Sequence, residues 1–293
     1  MARMPIRKTL VLGIGSTGLK VAEQLAEHLT WQFGHFERAA WVRILASETA
    51  QPDSPLGDRV IWSGMSREEY SPYVHAPNAA GAEFGFSEWH DPETLRKIDN
   101  PSAGAANCRM LGRLCFFHPR TYQQMRQRVT AEIGYLRNLT AQSINDQLAH
   151  PEIEAVFPAG TEQKIVVYVV GTLCGGTCSG VAADLGYLIG IWAGDSVSRQ
   201  AFFTIPHQTL MSSNAARLKK NAFYALKELN HYQLDDTVWS QRLPGYERPW
   251  VDTRRPYEIL RIMMPGSGSG EDVHKLNAMI GQYIAAAVGP AGG

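Results

Sequence analysis

Hydrophobic positions along the chain form short continuous runs separated by stretches with helical spacing. The run Thr9–Gly15 predicts a buried strand that ends in glycines, and apolar residues then recur at helical spacing from Leu19 to Leu29. A further apolar run, Trp41–Ala46, predicts a second strand. A strand, a helix and a strand in this order predict a β-α-β unit with parallel strands and a right-handed crossover.

The second half of the chain repeats this alternation around one β-branched run, Lys164–Val170, which is typical of a central parallel strand. Around it the pattern predicts helices at Cys108–Phe117, Tyr122–Leu148, Val181–Ile191, Ala215–Tyr232 and Glu271–Val288, and strands at Gln200–Ile205 and Ile259–Met263. In the helix that begins at Ala215, we place four residues on the buried side: Leu218, Phe223, Leu226 and Leu229. Residues 50–107 predict long loops with short helical pieces, and Gly266–Gly270 predicts a flexible break.

Two glycine-rich turns each follow a predicted strand and lead into a predicted helix. The first, Gly13–Gly18, has the spacing G-x-G-x-x-G, which dinucleotide folds and structural turns share. The second, Gly171–Gly180, places four glycines among Thr172, Thr177 and Ser179. A helix N-terminus presents unpaired N–H groups and a partial positive charge, and glycines let an anion approach the backbone. We interpret both turns as candidate phosphate sites, of which the second is the more specific.

Composition narrows the class of protein further. The 293 residues accommodate one large α/β domain or two small ones, and 28 basic side chains balance 28 acidic ones, so charge does not indicate a nucleic-acid partner. No apolar run is long enough for membrane insertion and no signal peptide is recognisable, which predicts a cytoplasmic protein. Cys174 and Cys178 lie far from the other two cysteines and no histidine cluster joins them, so no metal site built from protein ligands is predicted.

The segment Gly171–Gly180, Gly-Thr-Leu-Cys-Gly-Gly-Thr-Cys-Ser-Gly, resembles the tubulin signature Gly-Gly-Gly-Thr-Gly-[Ser/Thr]-Gly. On this motif the chain is identified as similar to the tubulin/FtsZ superfamily, including bacterial tubulin-like proteins outside FtsZ proper. Cys174 and Cys178 stand where the signature has glycine. The resemblance implies an α/β, three-layer, Rossmann-like fold in which helices flank a mostly parallel sheet and the nucleotide-binding domain ends in a central helix. It implies a GTP-binding domain over 1–270, a central helix over 271–289 and a flexible tail over 290–293.

Other segments extend the resemblance in the same order along the chain. The first glycine loop opens the chain, and 47–51 resembles the loop that ends the second strand in FtsZ-like proteins. Residues 102–107 resemble the loop that senses the γ-phosphate, 217–222 resemble the ribose-contacting stretch, and 275–278 resemble the site where an asparagine reads guanine. An asparagine amide can donate and accept, which suits the edge of guanine.

The resemblance therefore implies a bound GTP or GDP with Mg²⁺. The implied nucleotide-contacting residues are Gly13, Gly15, Ser16, Thr17 and Gly18; Glu48; Gly104, Ala105, Ala106 and Asn107; Thr172, Cys174, Gly175, Gly176, Thr177, Cys178, Ser179 and Gly180; and Asn214, Arg217, Asn221 and Asn277.

Hydrolysis in tubulins and FtsZ uses an acid on a loop after the central helix, which acts on the nucleotide of the next subunit. The residues that follow Val288 contain no Asp or Glu, so no catalytic residue is assigned. The resemblance implies head-to-tail self-association, with the acid supplied by a neighbouring subunit or by a longer parent chain.

Two other functions remain open at this point. One is an oxidoreductase with a Rossmann fold that binds NAD(P) through Gly13–Gly18, although such a site expects an acid about 20 residues after the motif and Glu48 lies 30 beyond Gly18. The other is an assembly module that binds nucleotide without hydrolysing it.

Overall fold

The computed structural model describes residues 2–148, 152–205, 215–265 and 270–289 of the chain. Its strands are β1 Ala2–Pro5, β2 Thr9–Ile14, β3 Val42–Glu48, β4 Val60–Trp62, β5 Ile153–Val156, β6 Ile165–Thr172, β7 Val197–Thr204, β8 Trp239–Gln241, β9 Trp250–Asp252 and β10 Ile259–Met263. Its helices are α1 Gly15–Phe33, α2 Arg67–His75, α3 Pro77–Ala80, α4 Pro92–Arg96, α5 Arg109–Phe117, α6 Pro119–Asn138, α7 Ala141–Leu148, α8 Gly176–Ala193, α9 Ala215–Gln233 and α10 Gly270–Val288.

Six parallel strands form the central sheet in the order β10-β7-β6-β2-β3-β4. All residues of β2 and almost all of β6 are buried, as their continuous apolar runs predict. The chain runs outward from β2 towards β3 and outward from β6 towards β7. Because right-handed crossovers in opposite directions place their helices on opposite faces, α1 and α8 flank the sheet from two sides. The predicted α/β fold with three layers is confirmed.

The space between β2 and β6 is the point at which the strand order reverses. Open α/β sheets bind ligands in the crevice beyond the carboxyl ends of the strands at such a point. Both glycine-rich turns lie here, because Gly13–Gly18 joins β2 to α1 and Gly171–Gly180 joins β6 to α8. The strand order is also that of dinucleotide-binding Rossmann folds, so it does not by itself separate the competing functions.

The structure differs from the predicted elements in four places. The predicted helix Tyr122–Leu148 is two helices, α6 and α7, because the side chains of Thr140 and Ser143 hydrogen-bond to each other's backbone N–H and start a new helix. Strand β4 of the central sheet, in the stretch predicted as loops, and two small pairs of strands, β1 with β5 and β8 with β9, were not predicted. Each of these strands has only three or four residues, too few for a period to be recognised.

The placement of Phe223 on the buried side of α9 was wrong. Its side chain is 62% exposed, and the buried residues of the helix are Asn221, Ala222, Ala225 and Leu229. The other three predicted residues, Leu218, Leu226 and Leu229, are half-buried or buried. The buried side is narrow and has a polar residue in it, so a pattern based on apolar residues alone chose Phe223 in place of its neighbour Ala222.

Some predictions fall on residues that the structure does not describe. Asn214, most of the predicted break at 266–270 and the tail at 290–293 lie outside the described residues. Among the helices of the described ranges, none is long and apolar enough to cross a membrane.

Candidate functional site

A cleft of about 460 Å³ lies beyond the carboxyl ends of β2, β3, β6 and β7. Its walls come from the first turns of α1 and α8, from the loops after β3 and before α5, and from α9 and α10. Of the residues proposed from the sequence to contact nucleotide, it is lined by Gly15, Ser16, Thr17, Glu48, Gly104, Ala105, Ala106, Asn107, Thr172, Cys174, Gly175, Gly176, Thr177, Cys178 and Asn277. The fold therefore brings segments from the whole length of the chain to one place.

Two helix N-termini open into this cleft. Helix α1 begins at Gly15 after an extended Ile14, and α8 begins at Gly176 after an extended Gly175. Within the described residues no side chain caps either helix. Because the first N–H groups of a helix have no partner inside the helix, these two ends present donors and partial positive charge to an anion.

A group of hydroxyl and carboxyl contacts connects three of the loops around the cleft. The Thr49 and Thr177 hydroxyl oxygens lie 2.8 Å apart, and the N–H of Ala105 donates to the Thr49 hydroxyl over 3.0 Å. The buried carboxylate of Glu48 accepts from the N–H groups of Thr49 at 2.7 Å and Ala50 at 3.2 Å. Thr49 thus joins the loop after β3 to the other two loops, and the sequence analysis missed it. Its position as a hydroxyl residue directly after a predicted strand was the available signal.

Four predicted glycine and serine positions lie next to the cleft without lining it. A Cβ on Gly13 or Gly18 would collide with the backbone of the other residue, and a Cβ on Gly180 would collide with the carbonyl oxygen of Arg109. These glycines therefore allow α1 to approach its strand and α8 to approach α5. The Ser179 hydroxyl donates back to the carbonyl oxygen of Gly175 within the first turn of α8.

Arg217 and Asn221 also lie outside the cleft lining. Arg217 donates to the carbonyl oxygen of Ala106 over 3.3 Å, and the Asn221 amide donates to the carbonyl oxygens of Asn107 and Cys174, each over 2.8 Å. Their polar groups are used by the loop backbone, so a contact between these side chains and a sugar stays a prediction.

The two cysteines of the second loop are buried. The Sγ of Cys178 fills the space above Gly171, where a Cβ would lie 2.5 Å from it, so the cysteine side chain faces β6 rather than the cleft. Burial raises the pKa of the Cys174 thiol to about 11 and raises that of Cys178 further. Both thiols are therefore protonated at neutral pH, and the described residues hold no cluster of three His, Cys, Asp or Glu side chains that suits a metal ion.

The end of the cleft next to α10 is apolar, with one buried polar group. Val273 and Leu276 of α10 line it together with Asn277, which is 3% exposed. The Oδ1 of Asn277 is buried and has no hydrogen-bond partner among the residues that the structure describes. A buried acceptor without a partner costs about 1–3 kcal/mol of folding free energy. Such an acceptor in a cleft is explained where a ligand supplies the missing donor.

A family model described as tubulin like matches residues 10–290 of the chain. Three solved structures are similar in fold. CetZ2 from Haloferax volcanii, in a GTPγS-bound protofilament, is 15% identical over 96% of this chain and 58% of its own, with a TM-score of 0.45. CetZ from Methanosaeta thermophila strain DSM 6194 is 13% identical over 95% of this chain and 53% of its own, with a TM-score of 0.48. CetZ1 from Haloferax volcanii, a GDP-bound monomer, is 14% identical over 94% and 58%, with a TM-score of 0.43.

The chain spans between 53% and 58% of the length of these solved chains. No curated protein matches the sequence. The family match covers nearly the whole chain and includes both glycine loops and Asn277. It confirms the resemblance that the segment Gly171–Gly180 indicated, and the chain belongs to the tubulin-like family.

Proposed function

We propose that the chain binds a guanine nucleotide in the cleft between β2 and β6, with GTP or GDP and Mg²⁺ as ligands. The observation that carries this proposal is the pairing of two uncapped helix N-termini with a buried, unpartnered asparagine oxygen in one cleft. The first feature suits phosphates and the second suits a base with adjacent N–H donors. Both features belong to residues that line the same cleft.

The phosphates would lie against the first turns of α1 and α8. Gly15, Ser16 and Thr17 offer backbone N–H groups from one helix, and Gly176 and Thr177 offer them from the other. Since the chain has a formal net charge of zero, a polyphosphate is held by such local donors rather than by a general positive field.

The base would lie against α10, between aliphatic side chains. Guanine carries N–H donors at N1 and N2, which the Oδ1 of Asn277 can accept, whereas adenine presents an acceptor at N1 and lacks the amino group at C2. Satisfying a buried acceptor with one base and leaving it unpaired with another gives strong discrimination.

Magnesium would bind chiefly through phosphate oxygens and water, because it keeps several waters and uses one or two carboxylates. Glu48 is the carboxylate among the described residues that line the cleft, and it already accepts two backbone N–H groups. Glu48 is therefore poorly placed as a base for hydrolysis. We propose that the chain associates head to tail with further copies and that hydrolysis, where it occurs, uses an acid from a neighbouring subunit. The proposal is supported by family membership.

The ligand can be identified directly. The protein is purified without added nucleotide, denatured, and the supernatant is analysed by ion-exchange chromatography and mass spectrometry. We expect GTP or GDP. Release of NAD(P) would support the oxidoreductase alternative, and unhydrolysed GTP that survives purification and prolonged incubation would support the assembly module without hydrolysis. Adenine nucleotide would contradict the proposed base contact.

The base contact has its own test in nucleotide-free protein. We expect GTP to bind more tightly than ITP, which lacks the amino group at C2, and ITP to bind more tightly than ATP. The substitution Asn277→Leu should reduce these differences, because it removes the acceptor. Gln282→Leu, at an exposed position of the same helix, is the matched control and should leave the order unchanged. Equal affinities for GTP and ITP in the parent protein would refute the assignment.

A further inference from the structure

Helix α9 forms hydrogen bonds to two of the loops that line the cleft. The side-chain amide of Asn221 has two N–H donors, and both are used, one on the carbonyl oxygen of Asn107 and one on that of Cys174, each over 2.8 Å. Asn221 is 6% exposed and does not line the cleft. One buried side chain therefore fixes the spacing between the loop before α5 and the loop before α8.

The turn that Asn221 holds is strained. The N–H of Cys108 donates to the carbonyl oxygen of Ala105 over 2.7 Å, and the two residues between them, Ala106 and Asn107, have φ values of 46° and 54°. Positive φ at both central positions is the pattern of a type I′ turn, which favours glycine and asparagine. An alanine in this region is disfavoured, and such a turn persists only where surrounding contacts hold it.

The contacts that hold the turn come mainly from α9. Arg217 donates to the carbonyl oxygen of Ala106, the first left-handed residue, and Asn221 donates to that of Asn107, the second. On the other side of the turn, the N–H of Ala105 donates to the Thr49 hydroxyl. Helix α9 thus donates a hydrogen bond to the carbonyl oxygen of each strained residue.

The second bond of Asn221 orients the glycine-rich loop. The C=O and N–H groups of one trans peptide point in opposite directions. Holding the carbonyl oxygen of Cys174 towards α9 therefore turns the N–H of Gly175 away from α9. Gly175 lines the cleft, so the orientation of this peptide determines where one potential phosphate donor points.

We propose that Asn221 and Arg217 are positioning residues, through which α9 holds the strained turn 105–108 and the glycine-rich loop in the arrangement that phosphate binding needs. Ligand occupancy of the cleft and the order of α9 are then coupled. The choice of ligand in the test rests on the proposed function, whereas the positioning role itself is visible without ligand.

Hydrogen–deuterium exchange on ligand-free protein and GTPγS binding by calorimetry test this role together. Asn221→Leu keeps the branched shape and the number of heavy atoms of the side chain but removes both donors. We expect exchange of the 105–108 and 174–176 amides to rise at least tenfold and GTPγS affinity to fall about tenfold. Arg217→Met should raise exchange in 105–108 alone. The control Asn230→Leu, on the exposed side of the same helix, should match the parent protein.

A rescue separates positioning from general packing. Adding Ala106→Gly to Asn221→Leu should recover part of the affinity, since glycine adopts positive φ without penalty, while exchange at 174–176 stays high. Unchanged exchange of both loops in Asn221→Leu, or an equal effect of Asn230→Leu, would overturn the proposal. If Asn221→Leu does not fold, unchanged exchange of 105–108 in Arg217→Met overturns it instead. If the parent binds no GTPγS while exchange changes as expected, the proposed function fails and the positioning role stands.

Discussion

Gly175 offers a substitution that separates nucleotide binding from folding. It is the N-cap of α8, with φ −71° and ψ 169°, a backbone conformation open to any residue. A Cβ at this position would meet only the Thr172 methyl carbon, at 3.4 Å, and would otherwise point into the cleft. We therefore expect Gly175→Asp to be accepted by the fold and to place a carboxylate where the proposed phosphate binds.

The two effects of Gly175→Asp have opposite signs. Asp caps a helix better than glycine by a few tenths of a kcal/mol, and its charge at the positive end of the helix adds about 0.3–1 kcal/mol. With about 2 cal/mol/K of unfolding entropy per residue, this gain raises Tm by about 1–2 °C for a chain of this length. Against a phosphate oxygen about 4 Å away, two unit charges repel by about 4 kcal/mol at an effective dielectric of 20, roughly a thousandfold in affinity.

The assay is calorimetric titration of nucleotide-free protein with GTPγS, next to thermal melting followed by circular dichroism. Gly175→Ser is the matched variant, because serine also caps the helix but adds no charge, and it should weaken binding less than aspartate does. Unchanged GTPγS affinity in Gly175→Asp would refute the assignment of the α8 N-terminus as a phosphate site. A drop in Tm would refute the statement that this position is open.

Two further predictions concern the close packing around Gly176 and the protonation of His118. Gly176→Ala should destabilise the fold by about 1–3 kcal/mol and lower Tm by roughly 2–5 °C. The reason is that the added Cβ would lie 2.7 Å from the Ala105 Cβ and 2.8 Å from the backbone of Cys108. Thermal melting measures the change, and an unchanged Tm would contradict the close approach. Burial lowers the pKa of the half-buried His118 below its usual 6.5. Between the two pKa values the unfolded chain binds more protons than the folded chain, so stability should fall as the pH drops below 6.5. Between pH 7.5 and 5.5 the Tm of His118→Gln should fall less than the Tm of the parent protein, whereas the Tm of His75→Gln, at an exposed position, should fall as much as in the parent.

The sequence predicted the parts of the fold that depend on local pattern. The strands β2, β3 and β6, the helices α1 and α8 and both glycine turns follow from apolar runs and glycine positions that lie close together in the chain. The buried side of α9 was predicted with Phe223 in it and without Asn221, because hydropathy assigns an aromatic residue to the core and a polar one to the surface. A polar residue in a buried stripe carries no local signal of its partners.

The contacts around the cleft could not be predicted in this way. The Thr49 hydroxyl meets that of Thr177, and the Asn221 amide meets the backbone of Asn107, although each pair is more than a hundred residues apart in sequence. Glycines raise a second difficulty, because Gly18 and Gly175 look alike in a motif. A Cβ on Gly18 would collide with backbone atoms of other residues, whereas one on Gly175 would enter the cleft. Only the folded structure separates a glycine needed for packing from one needed for a ligand.

The assignment of a base-binding end depends on α10, which the rest of the fold holds in place. The indole N–H of Trp41 donates to the carbonyl oxygen of Val288 over 2.6 Å, and Gly281 lets α10 approach Leu25 of α1. Helix α10 is thereby fixed against the same helix whose N-terminus opens into the cleft. The strand order alone fits a dinucleotide oxidoreductase equally well. What favours a guanine nucleotide is that α1 presents phosphate donors at its N-terminus and, through α10, holds Asn277 in the lining of the same cleft.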